Sequence, residues 1–463
     1  MTAAAYAHFI GVGGAGMSGL ARVLHDRGHV VTGSDLKASR YATRLQESGV
    51  TVYIGHAAEN LGEPEVVVVS TAIPESNPEL KAARERGVPV WLRAKMLAHI
   101  AGDDACVAVA GTHGKTTTSS MMVTVLDGIG LDPTFLIGGE LNDIGANARC
   151  GRGTYCVVEA DESDGSFLYL DPKVSIITNI EADHLDHYGS FEAVVDIFGQ
   201  FIARTPADGA VVVCADDADL VTLAREHSTA DVVTYGFDAL ADVRCTEVVP
   251  DGMGHRFTVR LPDGRSLEAA IRVPGVHNVA NATGVIAAVF ALGEDVEAAV
   301  GVLGAFSGVR RRFDRVGVAG GVTVVDDYAH HPTEVRATLA AARVAGFERV
   351  WVVFQPHRYS RTQAFGGDFG GAFGDADRVV LMDVYSAGEA PIPGVSGKTI
   401  LSSMLQHSPR TQAAYFPHRD EIETYLAPRV RPGDLVMTMG AGDVTTMGAG
   451  IVRAIRKHAG EVT

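Results

Sequence analysis

Short apolar runs alternate with helix-like segments along most of the chain, and small or polar residues follow the runs. The runs are rich in Val and Ile and have the length of buried strands. A glycine-containing turn and a helical pattern come after most of them, which is the order of parallel βαβ units. The pattern therefore predicts an α/β fold built from doubly wound sheets. The prediction rests on residues 8–10, 29–33, 51–54, 66–70, 106–109, 155–158, 174–180, 210–214, 322–325, 350–354, 379–384 and 435–439.

Two interruptions of this alternation suggest where the chain divides. Residues 232–273 are β-rich, and turn signals at Asp251-Gly252 and Asp263-Gly264 predict antiparallel hairpins there. A new strand–turn–helix series begins after an arginine-rich segment at residues 310–312. At roughly 150 residues per domain the chain has room for about three. We expect domains at residues 1–103, 104–314 and 315–463, with the hairpins added to the middle one.

The composition excludes several classes of partner. The chain has 463 residues, 46% of them hydrophobic and 21% charged, with a net charge of −17. Because nucleic-acid binding needs a basic face, we expect no nucleic-acid partner. The start of the sequence has no signal-peptide pattern, and no apolar stretch is long enough to span a membrane. The five cysteines form no C-x-x-C pair and are expected to be reduced core thiols. These features predict a cytoplasmic protein without membrane contact.

A glycine fingerprint of the form G-x-G-x-x-G follows the first apolar run. Gly11, Gly13 and Gly16 form it, and Asp35 ends the second run at the place where such folds hold a ribose hydroxyl. The motif indicates a diphosphate site, but it does not distinguish NAD from another nucleotide. Its alternative reading is a glycine turn that only allows a helix to pack closely on a strand.

A second glycine loop, Gly111-Thr112-His113-Gly114-Lys115-Thr116, lies between the buried run at 106–109 and a predicted helix. This is the context of a phosphate-binding loop, in which backbone N–H groups and the helix N-terminus attract phosphate oxygens. Lys115 is expected to contact the outer phosphates and Thr116 to bind Mg²⁺. Val109 occupies the position of the first glycine in the common P-loop pattern, so this loop is a shorter variant.

Acidic and imidazole side chains follow two of the later runs in the middle third. Glu159 ends an apolar strand, the usual place of the second Mg²⁺ partner in P-loop enzymes, and its neighbours Asp161, Glu162 and Asp164 are expected only to be solvated. The segment from Asp183 to His187 could suggest a metallohydrolase, but it lacks the ligand set of a zinc site. We expect His184 to be one more Mg²⁺ ligand. The alternative is that these residues only cap the next helix.

Polar clusters also mark the joint between the middle and last thirds and the strand ends beyond it. Asn278 and Asn281 share one face at the start of a predicted helix, where they could contact a base or only cap the helix. Three arginines, Arg310 to Arg312, could cover nucleotide phosphates. In the last third, Arg358 and Arg361 follow a strand and are candidates for binding a carboxylate or phosphate.

Together and in this order, these motifs resemble the ATP-dependent Mur ligases of peptidoglycan synthesis over essentially the whole chain. Three runs, at residues 13–17, 328–334 and 355–362, resemble the alanine-adding members of that family. The resemblance implies a Rossmann-like UDP-binding first domain, a central P-loop ATPase-type domain and a Rossmann-like third domain that binds the amino acid. The other segments that support it are Gly111–Thr116, Glu159, Asn179 with Asp183-His184, His277-Asn278 with Asn281, the arginines before Phe313, and Asp326-Asp327-Tyr328.

The resemblance also implies roles for individual residues. The sugar-nucleotide site would comprise Gly11, Gly13, Gly14, Gly16, Met17, Ser18 and Asp35. The ATP site would comprise Gly111, Thr112, His113, Gly114, Lys115, Thr116 and Thr117, with Mg²⁺ at Thr116, Glu159 and His184. The other catalytic or adenosine-contacting residues would be Asn278, Asn281, Arg312 and Asp327, with Arg310, Arg311 and Asp326 as alternatives. His330, His357, Arg358 and Arg361 would face the amino acid and the sugar carboxylate.

The implied reaction joins L-alanine to the lactyl carboxylate of UDP-N-acetylmuramate, with ATP as the energy source and an acyl phosphate as intermediate. We expect a monomer or a weak homodimer. Within the ligases, the alternatives are a recycling enzyme that attaches a peptide to the same sugar and a folylpolyglutamate synthetase. Outside them, a nucleotide-sensing regulator and a dehydrogenase remain, although a dehydrogenase has no need of a P-loop.

Overall fold

A computed structural model describes residues 5–407 and 411–461, and within them the chain alternates strands and helices as the apolar pattern predicts. The first sheet has the order β3-β2-β1-β4-β5, and all its described strand pairs are parallel. Parallel neighbours need crossover connections, which helices supply here. Its elements are β1 (Tyr6–Ile10), α1 (Ala15–Asp26), β2 (Val30–Asp35), α2 (Arg40–Glu47), β3 (Thr51–Ile54), β4 (Val66–Val69), α3 (Pro78–Glu85), β5 (Val90–Leu92) and α4 (Arg93–Ala101), with a 3-10 turn at Ala58–Leu61.

The second sheet is larger, with the order β15-β14-β13-β12-β11-β10-β6-β9-β7-β8 among the described residues. Its central pairs are parallel, and β8 joins β7 antiparallel at one edge. The predicted turns separate β13 from β14 and β14 from β15, with Gly252 and Gly264 at positive φ.

The elements of this part of the chain are β6 (Ala105–Ala110), α5 (Lys115–Gly128), β7 (Thr134–Leu141), β8 (Ala146–Arg149), β9 (Tyr155–Glu159), β10 (Val174–Ile177), α6 (Leu185–Tyr188), α7 (Phe191–Ile202), β11 (Ala210–Cys214), α8 (Ala218–His227), β12 (Asp231–Gly236), β13 (Val243–Asp251), β14 (Gly254–Arg260), β15 (Ser266–Ile271), α9 (Val276–Leu292) and α10 (Val296–Leu303), with a 3-10 turn at Ser166–Tyr169.

The third sheet has the order β16-β17-β21-β18-β19-β20 in the described chain, parallel except at its β16 edge. Both faces are covered: Val350, Val352 and Phe354 of β18 join one apolar cluster, and Trp351 and Val353 join another. Such burial on both faces is why these strands are apolar throughout. The predicted doubly wound sheet is confirmed.

The elements of the last third are β16 (Asp314–Ala319), β17 (Val322–Asp327), α11 (Pro332–Val344), β18 (Val350–Phe354), α12 (Tyr359–Phe365), β19 (Arg378–Leu381), α13 (Gly397–His407), β20 (Gln412–Tyr415), α14 (Ile422–Leu426), β21 (Leu435–Met439) and α15 (Gly448–Ala459), with 3-10 turns at Asp368–Gly371, Arg419–Glu421 and Asp443–Met447.

Residue contacts group the chain into two compact units. The first unit comprises the chain up to Thr246 with Thr258–Ala269 and Ala280–Ala305, and the second comprises Glu247–Phe257, Ala270–Val279 and the chain from Phe306 onward. The first unit contains the first sheet and most of the second sheet. One apolar cluster includes residues of both sheets. The three-domain boundaries at 103/104 and 314/315 stay a prediction. No helix of the described residues has the length and hydropathy needed to cross a bilayer.

Candidate active site

The glycine loop after β6 has a backbone that only glycine accommodates easily. Gly111 has φ +131° and Gly114 has φ +83°, and α5 begins directly afterwards at Lys115. A Cβ on Gly111 would lie 2.1 Å from Thr178 Oγ1, and one on Gly114 would lie 2.9 Å from Asn281 Oδ1. The loop therefore turns sharply into the helix N-terminus, as a phosphate-binding loop must.

The carboxyl end of the neighbouring strand β10 fixes this loop. Asn179 Oδ1 accepts a hydrogen bond from the His113 backbone N–H at 2.9 Å, and its backbone oxygen accepts one from Thr112 at 3.0 Å. Thr178 Oγ1 donates to the His113 carbonyl at 2.5 Å. Since β10 is paired with β6, the polar residues that follow it meet the loop at the same sheet edge. Thr178 was not predicted as a site residue, and its place directly after β10 is the sequence signal that could have identified it.

Lys115 is folded back onto its own loop. Its Nζ donates to the carbonyls of Gly111 at 2.6 Å and Thr112 at 3.2 Å, and it forms an ion pair with Glu162 at 2.8 Å. Burial alone would lower the pKa of Lys115, but the Glu162 carboxylate outweighs it and the pKa is raised. The expectation that Glu162 is merely solvated was wrong. Its side chain is only 3% exposed, because the turn after β9 directs it under the loop.

The structure brings together two of the three predicted magnesium ligands. Thr116 Oγ1 lies 3.1 Å from Glu159 Oε1, and Glu159 Oε2 accepts the Gly138 N–H at 2.8 Å. A hydroxyl and a carboxylate at the start of a P-loop helix fit the oxygen preference of Mg²⁺. His184 has described contacts with Glu162 and Asp183, each at 3.8 Å from its Nε2.

The first glycine turn uses most of its own N–H groups internally. Gly11 and Val12 donate to the Ser34 carbonyl, and Gly13 donates to Asp35 Oδ2 at 2.9 Å. Helix α1 then begins, and an α-helix leaves the N–H groups of its first turn without internal partners, here those of Ala15, Gly16 and Met17. Of the predicted residues, Met17 and Ser18 have buried side chains, and the Ser18 N–H donates to the Gly14 carbonyl at 2.9 Å.

A cavity of about 220 Å³ joins this turn to the P-loop side of the first unit. Gly16 at the start of α1 lines one side, and Gly138 and Glu159 line the other. Arg93 and Asp161 also face it, with the Arg93 guanidinium 4.0 Å from the Asp161 carboxylate. A ligand held by the N-terminus of α1 would therefore have a path to the Thr116–Glu159 pair.

The two asparagine side chains of α9 have different surroundings. Asn281 is buried beside Gly114 and so accompanies the P-loop. Asn278, one turn earlier on α9, donates from Nδ2 to the Pro274 carbonyl at 2.7 Å. That bond connects the first turn of α9 to the segment before it and is not an N-cap, in which a side-chain oxygen accepts a backbone N–H.

In the second unit, the two aspartates that end β17 are anchored inside the fold. Asp327 accepts backbone hydrogen bonds from Phe313 at 2.7 Å and Ala329 at 2.8 Å, and burial raises its pKa to about 6 against the opposing charge of Arg312. Asp326 accepts from Thr438 at 2.6 Å and lies 3.5 Å from the Arg311 guanidinium. Both aspartates therefore fix the arginine segment to the sheet.

The arginines themselves surround Tyr328. The guanidinium groups of Arg311 and Arg312 lie 4.6 Å and 5.1 Å from the centre of its ring. Arg311 also donates to the Gly440 carbonyl at 2.9 Å, and Arg312 lies 3.6 Å from Glu334. Arg310 is exposed. The three arginines thus differ in their surroundings.

The remaining predicted residues of the second unit form one cluster at the carboxyl edge of its sheet. The rings of His330 and His357 are 5.8 Å apart, and Arg361 Nη1 lies 3.5 Å from His357 Nδ1. Burial is the main cause that lowers the pKa of each imidazole to about 4, and Arg361 adds to it. Both imidazoles are therefore neutral at neutral pH. The backbone N–H of Arg358 donates to the Tyr385 carbonyl at 2.8 Å, which places Arg358 at the same edge.

Strained backbone coincides with several of these residues. His184, Arg311, Phe313 and Arg358 are non-glycine residues with φ between +48° and +68°. Such conformations cost of order 1–3 kcal/mol each and concentrate at functional sites. His184, Arg311 and Arg358 are among the predicted site residues, whereas Asp132, Glu247 and Ala387 have the same conformation outside them.

A P-loop that opens a helix beside a carboxylate, on a doubly wound sheet, defines an α/β protein of the nucleotide-binding class. Family models narrow this class. The Mur ligase family catalytic domain matches residues 6–104, the Mur ligase middle domain matches 109–289, and the Mur ligase glutamate ligase domain matches 311–442. The chain belongs to the Mur ligase family.

Individual relatives agree with this family over nearly the whole chain. UDP-N-acetylmuramate–L-alanine ligase from Pelotomaculum thermopropionicum is 47% identical over 459 residues, which cover 98% of each chain. The solved structure of UDP-N-acetylmuramate-alanine ligase MurC from Thermotoga maritima is 31% identical, with a TM-score of 0.81 over 98% of this chain and 99% of that one. A murein peptide ligase from Psychrobacter arcticus is 25% identical, with a TM-score of 0.71 over 99% of both chains.

Proposed function

We propose that this protein joins L-alanine to the lactyl carboxylate of UDP-N-acetylmuramate, with ATP converted to ADP and phosphate. The relative with this name covers 98% of the chain at 47% identity, whereas the peptide ligase has 25% identity. The P-loop and the glycine turn before α1, which we assign to ATP and to the sugar nucleotide, both belong to the first unit. The product is a peptidoglycan precursor, which makes cell-wall synthesis, and through it cell shape and division, the biological role.

The cavity between α1 and Glu159 is the observation that carries this proposal. A diphosphate at the N-terminus of α1 would leave the attached sugar to extend along the cavity, toward the P-loop side. The carboxylate of the sugar would then approach the terminal phosphate of ATP. Neither a dehydrogenase nor a simple nucleotide sensor needs such a connection between two phosphate sites.

The first chemical step forms an acyl phosphate. A carboxylate oxygen attacks the γ-phosphorus, the bond to the bridging oxygen breaks, and ADP leaves. Lys115 and the loop N–H groups stabilise the charge that spreads over the phosphoryl oxygens. To reach them, the Lys115 ammonium exchanges its contacts with the Gly111 and Thr112 carbonyls for phosphate oxygens, while Glu162 beside it keeps it charged.

Magnesium is the cofactor that the adjacent hydroxyl and carboxylate of Thr116 and Glu159 fit, and His184 is our proposed third ligand. When bound, it supplies positive charge to the terminal phosphates of ATP. Gly138 holds the Glu159 carboxylate in place through its N–H, so one oxygen of Glu159 remains directed at Thr116.

The second step is attack of the neutral L-alanine amine on the acyl carbon, followed by loss of phosphate from the tetrahedral intermediate. We assign the amino acid and the sugar carboxylate to the cluster of His330, His357, Arg358 and Arg361. Guanidinium groups recognise carboxylates with directed hydrogen bonds. We assign the adenosine to Asn278, Asn281, Arg312 and Asp327. Asp327 anchors the arginine segment that contains Arg312, because it accepts the Phe313 N–H.

Phosphate release tests the reaction directly. The protein is incubated with ATP, Mg²⁺ and UDP-N-acetylmuramate, with each of a panel of L-amino acids or with a tripeptide. We expect release that requires both the sugar nucleotide and L-alanine, and that stops when Mg²⁺ is chelated. Release with the tripeptide but not with alanine would identify a peptide-recycling ligase instead. Absence of release with every donor would refute a ligase function.

The substrates also suggest where and in what form the protein works. We infer a cytoplasmic location, where ATP and sugar nucleotides are available, and a monomer or weak homodimer. Sedimentation at several protein concentrations would test the oligomeric state, since a weak dimer dissociates on dilution.

A further inference from the structure

A carboxylate outside the predicted site holds the start of α12, the short helix beside two of the predicted arginines. Glu389 Oε2 accepts the Ser360 N–H at 3.0 Å, and Glu389 Oε1 accepts the Ser360 hydroxyl at 2.6 Å. Ser360 lies between Arg358 and Arg361 in the sequence. Burial alone would raise the pKa of Glu389, but the hydrogen bonds from Ser360 and Tyr359 lower it, and the charge of Arg358 adds to them. Glu389 is therefore ionised at neutral pH.

Helix α12 depends on an acceptor from another part of the chain. It has seven residues, and a helix of that length is not stable by itself in water. Arg358 occupies its N-cap position, and a guanidinium has no acceptor to offer the first N–H groups of a helix. Glu389 supplies that acceptor, and its negative charge is also favourable at a helix N-terminus.

The strained backbone of Arg358 is fixed from several directions at once. Its φ is +68°, its N–H donates to the Tyr385 carbonyl at 2.8 Å, and its carbonyl accepts the Thr362 N–H at 3.1 Å and the Thr362 hydroxyl at 2.8 Å. Glu389 holds the residues that follow Arg358. A strained conformation persists only while its surroundings determine it fully. Without Glu389, the start of α12 would therefore relax and the Arg358 guanidinium would move.

Glu389 belongs to the segment 382–396, which connects β19 to α13. Connections of this length without helices or strands are uncommon and are usually functional. A tight turn brings Glu389 to α12, because its N–H donates to the Ser386 carbonyl at 3.0 Å, with Ala387 at φ +50° and Gly388 at φ +91° between them. Positive φ at both central positions favours glycine or asparagine, so Ala387 is strained. The turn thus presents Glu389 at a cost in backbone strain.

The same segment also supports the imidazole next to Arg358. The Tyr385 ring stacks on the His357 ring, with 5.8 Å between their centres and 12° between their planes. The Tyr385 N–H donates to the Pro356 carbonyl at 2.8 Å. The segment 382–396 therefore contacts His357 through a ring, Arg358 through its backbone, and the first turn of α12 through Glu389.

We propose that Glu389 is a positioning residue for L-alanine, because it caps α12 and so keeps Arg358 and Arg361 where they bind the α-carboxylate of the amino acid. Glu389 itself is not expected to touch the reacting atoms. When only a fraction of the molecules has α12 in the binding conformation, the apparent affinity for the amino acid falls by that fraction. Since it concerns the amino-acid substrate, this inference rests on the proposed function.

Steady-state phosphate release with varied L-alanine, at saturating ATP and UDP-N-acetylmuramate, tests the inference. Glu389→Ala should raise KM for L-alanine by about tenfold, which is the shift in an equilibrium that loss of a helix cap causes. The kcat and the KM values for ATP and UDP-N-acetylmuramate should stay within about twofold, because saturating alanine draws α12 back into the binding conformation. A residue that merely stabilised the fold would lower the active fraction, and thus kcat, without this change in KM.

A conservative variant and a double variant examine the contact itself. Glu389→Gln should keep KM for L-alanine within about threefold of wild type, because the amide oxygen can accept the Ser360 N–H while the amide nitrogen donates to the Ser360 hydroxyl oxygen. The variant Glu389→Ala/Ser360→Ala should have the same KM as Glu389→Ala, since both substitutions break one contact. Effects that multiply in the double variant would contradict the proposal.

Asp295→Ala is the matched control, because it removes a helix cap in the first unit. Asp295 Oδ1 accepts the Ala298 N–H at 3.0 Å at the start of α10. This variant should be less stable than wild type and should keep the wild-type KM for L-alanine. An equal rise in KM in Asp295→Ala would show that general instability causes the effect, and the role of Glu389 would be wrong.

The remaining outcomes separate this inference from the function beneath it. A wild-type KM for L-alanine in Glu389→Ala, a rise in KM for UDP-N-acetylmuramate instead, or loss of the folded circular-dichroism spectrum in that variant would each overturn only the positioning role. Phosphate release by the wild-type protein that does not require L-alanine would remove the proposed function and this inference with it.

Discussion

Lys115 combines a catalytic and a structural role in one side chain. Its ammonium is expected to bind the ATP phosphates. In this structure it also forms an ion pair with Glu162, which is almost fully buried. Removal of one member of a buried ion pair costs more than the pair itself contributes, because the other charge is left without compensation. The loss of activity and the loss of stability on substitution should therefore be separable.

We expect Lys115→Ala to lower kcat for phosphate release by at least about a hundredfold, since a charged group facing the transition state is lost. The same substitution should lower the free energy of unfolding by about 3 kcal/mol. Both quantities are measured on the same preparation, the first by phosphate release and the second by urea unfolding.

The control is the double variant Lys115→Ala/Glu162→Gln, which removes the buried charge together with its partner. It should regain most of the lost stability while remaining inactive. A double variant no more stable than Lys115→Ala, or a single variant with wild-type turnover, would contradict this account of the pair.

The sequence predicted Lys115, Thr116 and Glu159 because the glycine loop and the strand before Glu159 are local patterns with known mechanics. It did not predict the partner of Lys115. Glu162 lies in an acidic run that looks solvated, and only the packing of the turn after β9 beneath the loop buries it.

At the scale of elements, four of the five strands that the apolar pattern did not predict share one property; the fifth, β7, lies inside its sheet. β5, β8, β16 and β20 all lie at sheet edges in the described chain, and their residues are mostly half-buried or exposed. Interior strands of a doubly wound sheet are covered on both faces and are therefore apolar throughout. An edge strand needs no such run, so its pairing depends on neighbours far away in the sequence.

Close packing of α1 on the second sheet gives a prediction at this scale. A Cβ on Gly19 in α1 would lie 2.9 Å from the Ala148 Cβ of β8, and neither atom can rotate away. Gly19→Ala should therefore lower the free energy of unfolding of the first unit by about 1–3 kcal/mol, despite the better helix propensity of alanine. It should also raise KM for the sugar nucleotide, because Gly19 and Ala148 line the cavity.

Gly301 provides the matched control for this prediction. It is also a glycine inside a helix, but a Cβ there meets no atom within 4 Å. Gly301→Ala should stabilise the protein by roughly 0.5–1 kcal/mol and leave KM unchanged. If the two substitutions had effects of the same sign on unfolding, the close approach at Gly19 would not be what fixes α1 on β8.

For the whole molecule, the two compact units have separate apolar clusters and one tryptophan each. Trp91 packs against the cluster of the first unit, and Trp351 is buried in a cluster of the second. The sequence contains only these two tryptophans. In Trp351→Phe the remaining Trp91 therefore reports the unfolding of the first unit by fluorescence. In Trp91→Phe the remaining Trp351 reports the unfolding of the second unit.

A ligand that binds only the first unit should stabilise only that unit. UDP at about one hundred times its Kd adds about 2.7 kcal/mol to the stability of the unit that binds it, a shift of roughly 5–10 °C in its melting temperature. We expect this shift in the Trp91 signal and none in the Trp351 signal. UDP lacks the N-acetylmuramic acid group, and it is the carboxylate of that group that we assign to the second unit. Equal shifts of both tryptophan signals would mean that the units unfold as one cooperative body, and the separate clusters would then not be separate folding units.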